Sequence, residues 1–284
     1  MQMDRRTKLT EVFEDTQRFY TENAALAAAI AKSKAGTKLY GPEEKTVIPA
    51  SQDKAGSVFV TKSKTFEAAI KAHQRCPDKK ITVLNFASAT NPGGGVRTGS
   101  SAQEESLCRC STLYPTLTQD WLWKAYYQKN RSAHDNLHTD ACIYSPGVII
   151  CKTDESSPVR MEEKDWLTVD VVSCAVPNLR EHPGNQHNPE YGRPTTLTAE
   201  ALYNLHVKRG NRIVQVAAAN GADILILGAF GCGAFANDPL VVARAYKAVM
   251  RENKGYFDEV EFAIYCRPGE TMNYEAFKKT LSSS

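Results

Sequence analysis

A chain of 284 residues with 42% hydrophobic and 24% charged residues is long enough to bury roughly three quarters of its unfolded surface, so a full core is available without metal or disulfide staples and wholesale disorder is excluded. Seventeen glycines and thirteen prolines are ordinary proportions and exclude collagen-like or low-complexity chains. The net charge of +3 is small but uneven: residues 1–80 carry 15 Lys/Arg against 10 Asp/Glu, net +5, and the remainder nets −2, so the N-terminal stretch is either a solvated helical face or a surface for an anionic polymer.

Residues 4–34 contain no glycine or proline and include an alanine-rich run at 25–31, which predicts one long helix stopped at Gly36. Residues 37–64 read as irregular around a short β-like piece at 57–60, and residues 65–75 as a second helix. A strand at 81–87 runs into the loop Asn91-Pro92-Gly93-Gly94-Gly95, and a helix follows at 102–113. Further strands are expected at 141–152 and 167–176. Residues 177–198, dense in proline, asparagine and glycine, form a long loop, which at this length is usually functional or mobile. Then come a helix at 199–220, a buried strand at 222–230, a helix at 239–253, a strand at 259–266 and a closing helix at 274–281. Strands alternating with helices predict an α/β architecture with helices on both faces of the sheet. No internal repeat and no clear linker divides the chain.

The eight cysteines (76, 108, 110, 142, 151, 174, 232 and 266) include no CxxC pair, and several lie inside apolar, strand-like runs. The first residues lead into a polar helix and not into an apolar leader. Together these features read as reduced, buried thiols of a cytoplasmic protein, or a nuclear one in a eukaryote. The longest apolar run, residues 224–230, is too short to span a bilayer.

Chemistry concentrates in two glycine-rich loops. In the first, Gly93, Gly94 and Gly95 follow a strand and let the backbone approach a ligand, because no Cβ intervenes. The next helix presents free N–H groups and carries Gln103, Glu104 and Glu105 in its first turn. Ser101-x-x-Glu104 has the spacing of a capping box, with Ser100-x-x-Gln103 a second one. Neighbouring helical residues point about 100° apart, so capping accounts for one acid at most and leaves Glu105 over.

In the second loop, Gly228-Ala229-Phe230-Gly231-Cys232-Gly233-Ala234-Phe235 follows a strand and precedes a helix with Pro239 near its first turn. Strand, glycine loop and helix N-terminus form the layout of a phosphate cradle, with Phe235 free to pack on a sugar or base. The alternative is a tight turn around a buried Phe. Gly231-x-Gly233-x-x-Ala236 also fits a loose dinucleotide fingerprint, but the following strand ends in Cys266-Arg267 and lacks the acid that fingerprint needs. Two such loops at strand ends point to one pyrophosphate-bearing ligand held between them.

Other candidates carry less. His134 and His138 stand at zincin spacing, but Asp135 follows the first histidine where a glutamate is needed. His182 and His187 have no evident ligand partners. Trp121, Trp123, Tyr126 and Tyr127 read as packing residues before a stacking platform. No Ser/His/Asp or Cys/His constellation is legible.

The triplet Gly93–Gly95, seven residues, and then Gln103-Glu104-Glu105 resembles the signature of poly(ADP-ribose) glycohydrolases. The flanking stretches, 85–92 before it and Ser106-Leu107 with Ser111-x-Leu113-Tyr114-Pro115 after it, resemble the microbial branch of that family, and residues 228–235 resemble its diphosphate-binding loop. The resemblance implies a macrodomain-like three-layer α/β/α fold with a mixed central sheet over 81–284, and an N-terminal helical accessory segment, 1–80, packed on the same domain. It implies that Glu105 is the catalytic acid and that Glu104 holds ribose hydroxyls. Gly93, Gly94 and Gly95 would shape the catalytic loop, and Gln103 and Asn91 would belong to the substrate site. Gly231, Cys232, Gly233, Ala234 and Phe235 would wrap the diphosphate, with Phe235 positioning the distal ribose. Asn85, Phe86, Tyr265 and Cys266 are adenine-side candidates from their places near strand ends.

The implied activity is hydrolysis of ribose–ribose O-glycosidic bonds in poly(ADP-ribose) with release of ADP-ribose. The implied partners are the polymer or ADP-ribosylated macromolecules, with no membrane, no metal and no cofactor, and with a monomeric protein. Cleavage through an oxocarbenium-like transition state needs a proton for the leaving hydroxyl. Adjacent acids cannot flank the bond from two sides, so a single Glu would serve as acid and then as base. A helix N-terminus favours the ionised carboxylate; nearby negative charge from Glu104 and a bound diphosphate opposes this and makes Glu105 a competent acid in the complex. The rivals are a macrodomain hydrolase acting on single ADP-ribose groups, a non-catalytic ADP-ribose reader, against which the retained Gln103-Glu104-Glu105 argues, and a dinucleotide-binding oxidoreductase.

Overall fold

The structure, a computed structural model, describes residues 4–48, 50, 56–184 and 193–282. Helices α1 (Arg5–Glu22) and α2 (Ala24–Gly36) open the chain. They are not the single helix expected, because Asn23 adopts an extended conformation and its side chain accepts from the N–H groups of Ala25 and Leu26, capping α2. Strands β1 (Lys38–Tyr40) and β2 (Ser57–Thr61) follow, then α3 (Thr65–Arg75), β3 (Ile81–Ala87) and α4 (Gln103–Cys110). Short helices α5 (Leu113–Leu117), α6 (Asp120–Leu122) and α7 (Gln128–Ala133) surround a π-helical turn at Trp123–Tyr127. The remainder is β4 (Cys142–Ile150), β5 (Leu167–Ala175), α8 (Ala199–Ala219), β6 (Ile224–Leu227), α9 (Pro239–Glu252), β7 (Glu259–Ala263) and α10 (Met272–Leu281).

The seven strands form one sheet in the order β1-β4-β5-β3-β6-β7-β2. β1 with β4 and β4 with β5 are antiparallel; every other pair is parallel. The sheet is therefore mixed. Alternate side chains feed two cores, as the two-residue period of a strand requires. Ile81, Val83, Ile224 and Ile226 pack with α3, Leu107 of α4 and Tyr127 on one face. Leu84, Leu225, Leu227 and Val172 pack with Val214 of α8, Tyr246 of α9 and Phe277 of α10 on the other. A strand buried on both faces reads as an unbroken apolar run, which is why Ile224–Leu227 shows no polar alternation. The result is a three-layer α/β/α fold with the loops after β3, β5 and β6 opening side by side at the C-terminal ends of these central parallel strands.

The first 80 residues are more than the helical segment expected, since β1 and β2 form the two edges of the sheet. Their helices also brace α4. Thr16 Oγ1 donates to the carbonyl of Arg109 at 2.6 Å, the Tyr20 hydroxyl donates to the carbonyl of Ser111, and Phe13 meets Tyr114 edge-on at 4.9 Å. All eight cysteines are free, five of them buried. Among the described residues no helix is long and apolar enough to cross a membrane.

Candidate active site

β3 ends at Ala87, and residues 91–95 turn tightly, with the Gly94 N–H on the carbonyl of Asn91 at 2.9 Å. Gly94 has φ +58°, and a Cβ there would lie 2.5 Å from Glu105 Oε1 and 3.2 Å from Glu104 Oε2. Both carboxylates therefore approach the same turn, and only a residue without a side chain fits between them. The Gly95 N–H donates to Glu105 Oε1 at 2.9 Å, and Glu105 Oε2 is buried without a partner. The Ser88 N–H donates to Glu104 Oε2 at 2.7 Å and Asn85 Nδ2 to Oε1 at 3.3 Å.

Neither glutamate serves as a helix cap. α4 starts after Ala102 with no side-chain capping bond, and Glu104 and Glu105 are 2% and 7% exposed. The capping boxes suggested by Ser100 and Ser101 do not form, because both acids turn inward to the backbone that follows β3. Burial, aided by the charge of Glu105, pushes the Glu104 carboxyl up from 4.5 to about 8 against the hydrogen bonds from Ser88, Asn85 and Gly93.

The second loop leaves β6 beside the first. Phe230 is buried against Phe86, with ring centroids 5.4 Å apart. Gly231 has φ +82°, and a Cβ there would meet Val176 beyond β5 at 2.7 Å. The N–H groups of Gly231, Gly233, Ala234 and Phe235 take no protein acceptor among the described residues. A Cβ at Gly233 would meet nothing within 4 Å, so the loop presents its amides to open space, the arrangement of an anion-binding nest. Phe235 is half-buried with the Arg180 guanidinium 5.4 Å over its ring.

Comparisons with known proteins place the fold in a family. The family model "Microbial-type PARG, catalytic domain", PARG being poly(ADP-ribose) glycohydrolase, matches residues 8–153, slightly more than half of the chain. The chain belongs to the microbial-type PARG family. It is similar to the PARG of Thermomonospora curvata solved with the inhibitor ADP-HPD, at 27% identity, 96% of this chain and 99% of that one, TM-score 0.78. It is also similar to the PARG of Deinococcus radiodurans solved with ADP-ribose, at 33% identity, 89% and 97%, TM-score 0.72. A search of the curated proteins returned no match.

This PARG-family chain brings Gly93, Gly94, Gly95, Glu104 and Glu105 together at the strand ends where Gly231, Cys232, Gly233, Ala234 and Phe235 also emerge. Three expectations shift. Gln103 is committed to the protein: its Nε2 donates to the carbonyl of Leu84 and to Thr65, and its Oε1 accepts from the Phe86 N–H. It anchors α4 to β3 and does not line the opening. Asn91 gives its Oδ1 to Arg131, whose Nε also holds the carbonyl of Thr90 at 2.8 Å. Asn85 lies wholly beneath Glu104, whereas Phe86 and Cys266 are half-buried and Tyr265 is 59% exposed.

His134 and His138 both have positive φ beyond the end of α7, so they share no helix face. Among the described residues no group of three or more His, Cys, Asp or Glu could hold a metal. His187 and part of the 177–198 loop lie outside the described residues. Tyr126 and Tyr127 pack as expected, but Trp121 and Trp123 are 42% and 37% exposed.

Sequence reading missed the supports of the second loop. Asn237 donates from Nδ2 to the carbonyls of Pro177 and Phe235, and its Oδ1 faces His206 Nε2 at 2.8 Å. His206 Nε2 therefore carries the proton, and Nδ1 is buried without a partner. The only hint was an asparagine ending a glycine loop. Burial, with Arg209 nearby, lowers the His206 imidazole from 6.5 to about 4. The unfolded chain thus binds a proton at higher pH than the fold does, so stability is complete above about 6.5 and falls as pH drops toward 4. The loss is at most about 3 kcal/mol. Urea unfolding between pH 7 and 4 should show this component in the native protein and lack it in His206→Gln.

Proposed function

We propose that this PARG-family chain hydrolyses the ribose–ribose O-glycosidic bonds of poly(ADP-ribose) and releases ADP-ribose, with Glu105 as general acid and then base. One observation carries the reading: two buried carboxylates clamped under a glycine turn stand at the same strand ends as a loop of unpaired amides. The amides of Gly231, Gly233, Ala234 and Phe235 receive the diphosphate of the terminal unit, and Phe235 packs on its distal ribose, which brings the anomeric carbon to the turn at Gly94. Glu104, held by Ser88 and Asn85, binds ribose hydroxyls. Glu105 protonates the departing oxygen as the C–O bond breaks. Its carboxylate then takes a proton from the water that attacks the sugar cation, and the acid is restored. The bound diphosphate stabilises that cation. Because both carboxylates approach from one side, the two-sided geometry of most glycosidases is replaced by one group acting twice.

In this reading residues 81–284 carry the catalytic groups, and residues 1–80 complete the sheet with its two edge strands and brace α4. Incubation with the polymer should release free ADP-ribose; binding without release would sink the proposal. Phe235→Ala should both weaken ADP-ribose binding and lower kcat, each by about tenfold or more, since a displaced ribose costs rate as well as affinity. Calorimetry and steady-state kinetics on the same variant check the two effects.

A further inference from the structure

A cavity of about 360 Å³ opens on the outer side of the 91–95 loop, lined by Gly94, Gly95, Arg97, Tyr114 and Trp123. We propose that it is the subsite for the leaving side of the polymer, taking the adenosine phosphate of the unit next to the scissile ribose. The inference rests on the glycohydrolase reading above.

Position is the first argument. Gly94 and Gly95 form a wall of the cavity, and the same two residues touch Glu105, one through its N–H and the other through the space its missing Cβ would fill. Gly94 and Gly95 are thus shared between the cavity wall and the seat of Glu105, so the cavity adjoins the place where the scissile ribose would stand. The cavity belongs to the helical layer that carries Leu113 and Tyr127, whereas the amide loop, with Phe230, packs into the opposite layer. One site thus flanks the cleaved bond on each side.

Chemistry is the second argument. Adenosine phosphate offers a flat apolar base, a sugar and an anion. The cavity answers with Trp123, 37% exposed, the half-buried ring of Tyr114, and the exposed Arg97, which has no carboxylate partner among the described residues. Asp120, the acid among the lining residues, suits ribose hydroxyls.

Backbone geometry is the third argument. π-Helical turns are frequent at functional sites, and this one sets Trp123 on the rim while burying Tyr126 and Tyr127. Trp123 carries the Arg131 guanidinium 4.8 Å over its ring, and Arg131 holds Thr90 and Asn91. Trp123 is thereby tied through Arg131 to the backbone at the start of the 91–95 loop.

The test compares purified poly(ADP-ribose) with 4-nitrophenyl ADP-ribose, whose leaving group has no adenosine. Arg97→Ala removes the cation, and Thr118→Trp, at an exposed lining position, fills the cavity without touching Glu105. Both should raise KM for the polymer about tenfold and leave kcat/KM for the nitrophenyl compound within about twofold. Equal losses on both substrates, or no loss on either, would overturn the subsite while leaving the glycohydrolase reading intact. If the native protein cleaves neither substrate, that reading falls and the subsite falls with it.

Discussion

Glu105→Gln is expected to lower poly(ADP-ribose) hydrolysis by at least about 10³-fold while ADP-ribose affinity stays within about tenfold. The amide is isosteric and its oxygen still accepts from the Gly95 N–H, so the turn keeps its shape. What is lost is the ability to deliver and then recover a proton. A second readout separates this role from a structural one. The charge of Glu105 is one reason the Glu104 carboxyl titrates at about 8, so Glu104 should ionise at lower pH in the variant, a shift that carbon-detected NMR would follow. Turnover that survives with binding lost would reverse the roles of Glu105 and the amide loop.

Gly94→Ala is expected to cut kcat by about 100-fold, the scale set by a misplacement of about 1 Å in the reacting groups. The new methyl would stand 2.5 Å from Glu105 Oε1, at a φ of +58° that L-residues avoid. The turn or the carboxylate must move. The strained backbone adds a stability loss of roughly 1–2 kcal/mol, small enough that thermal unfolding should still show a cooperative transition. A variant with native kcat would mean that the turn does not set the position of the acid.

The parts of this fold legible in the sequence are those whose signals are local. β3 was readable from a buried run before a glycine turn, α9 from Asp238 and Pro239, and the α/β class from alternation. Asn23 is not legible as a break because alanine-rich flanks hide a capping residue inside a helical pattern. The helical region at 113–133 is not legible because short pieces joined by a π turn carry no sustained 3.6-residue period. At the site, Glu105 could be singled out by counting which acid a cap leaves over, although the cap itself never forms. Gln103 was misplaced because an amide beside two acids looks like a ligand contact. Only the fold shows Leu84, Phe86 and Thr65 surrounding it. His206 and Asn237 meet across 31 positions, a pairing no spacing rule reveals.

The bracing of α4 by α1 bears on when this chain becomes competent. An eight-residue helix has little tendency to persist by itself in water. The carbonyl of Arg109 near its end accepts from Thr16 and that of Ser111, the next residue beyond the helix, from Tyr20, at sequence separations of 93 and 91. The entropy of closing so wide a chain loop must be met before those bonds can form. A nascent polypeptide that has already emerged past residue 105 therefore holds its acid on a fraying stub, and alignment arrives late, when the two ends of that stretch dock.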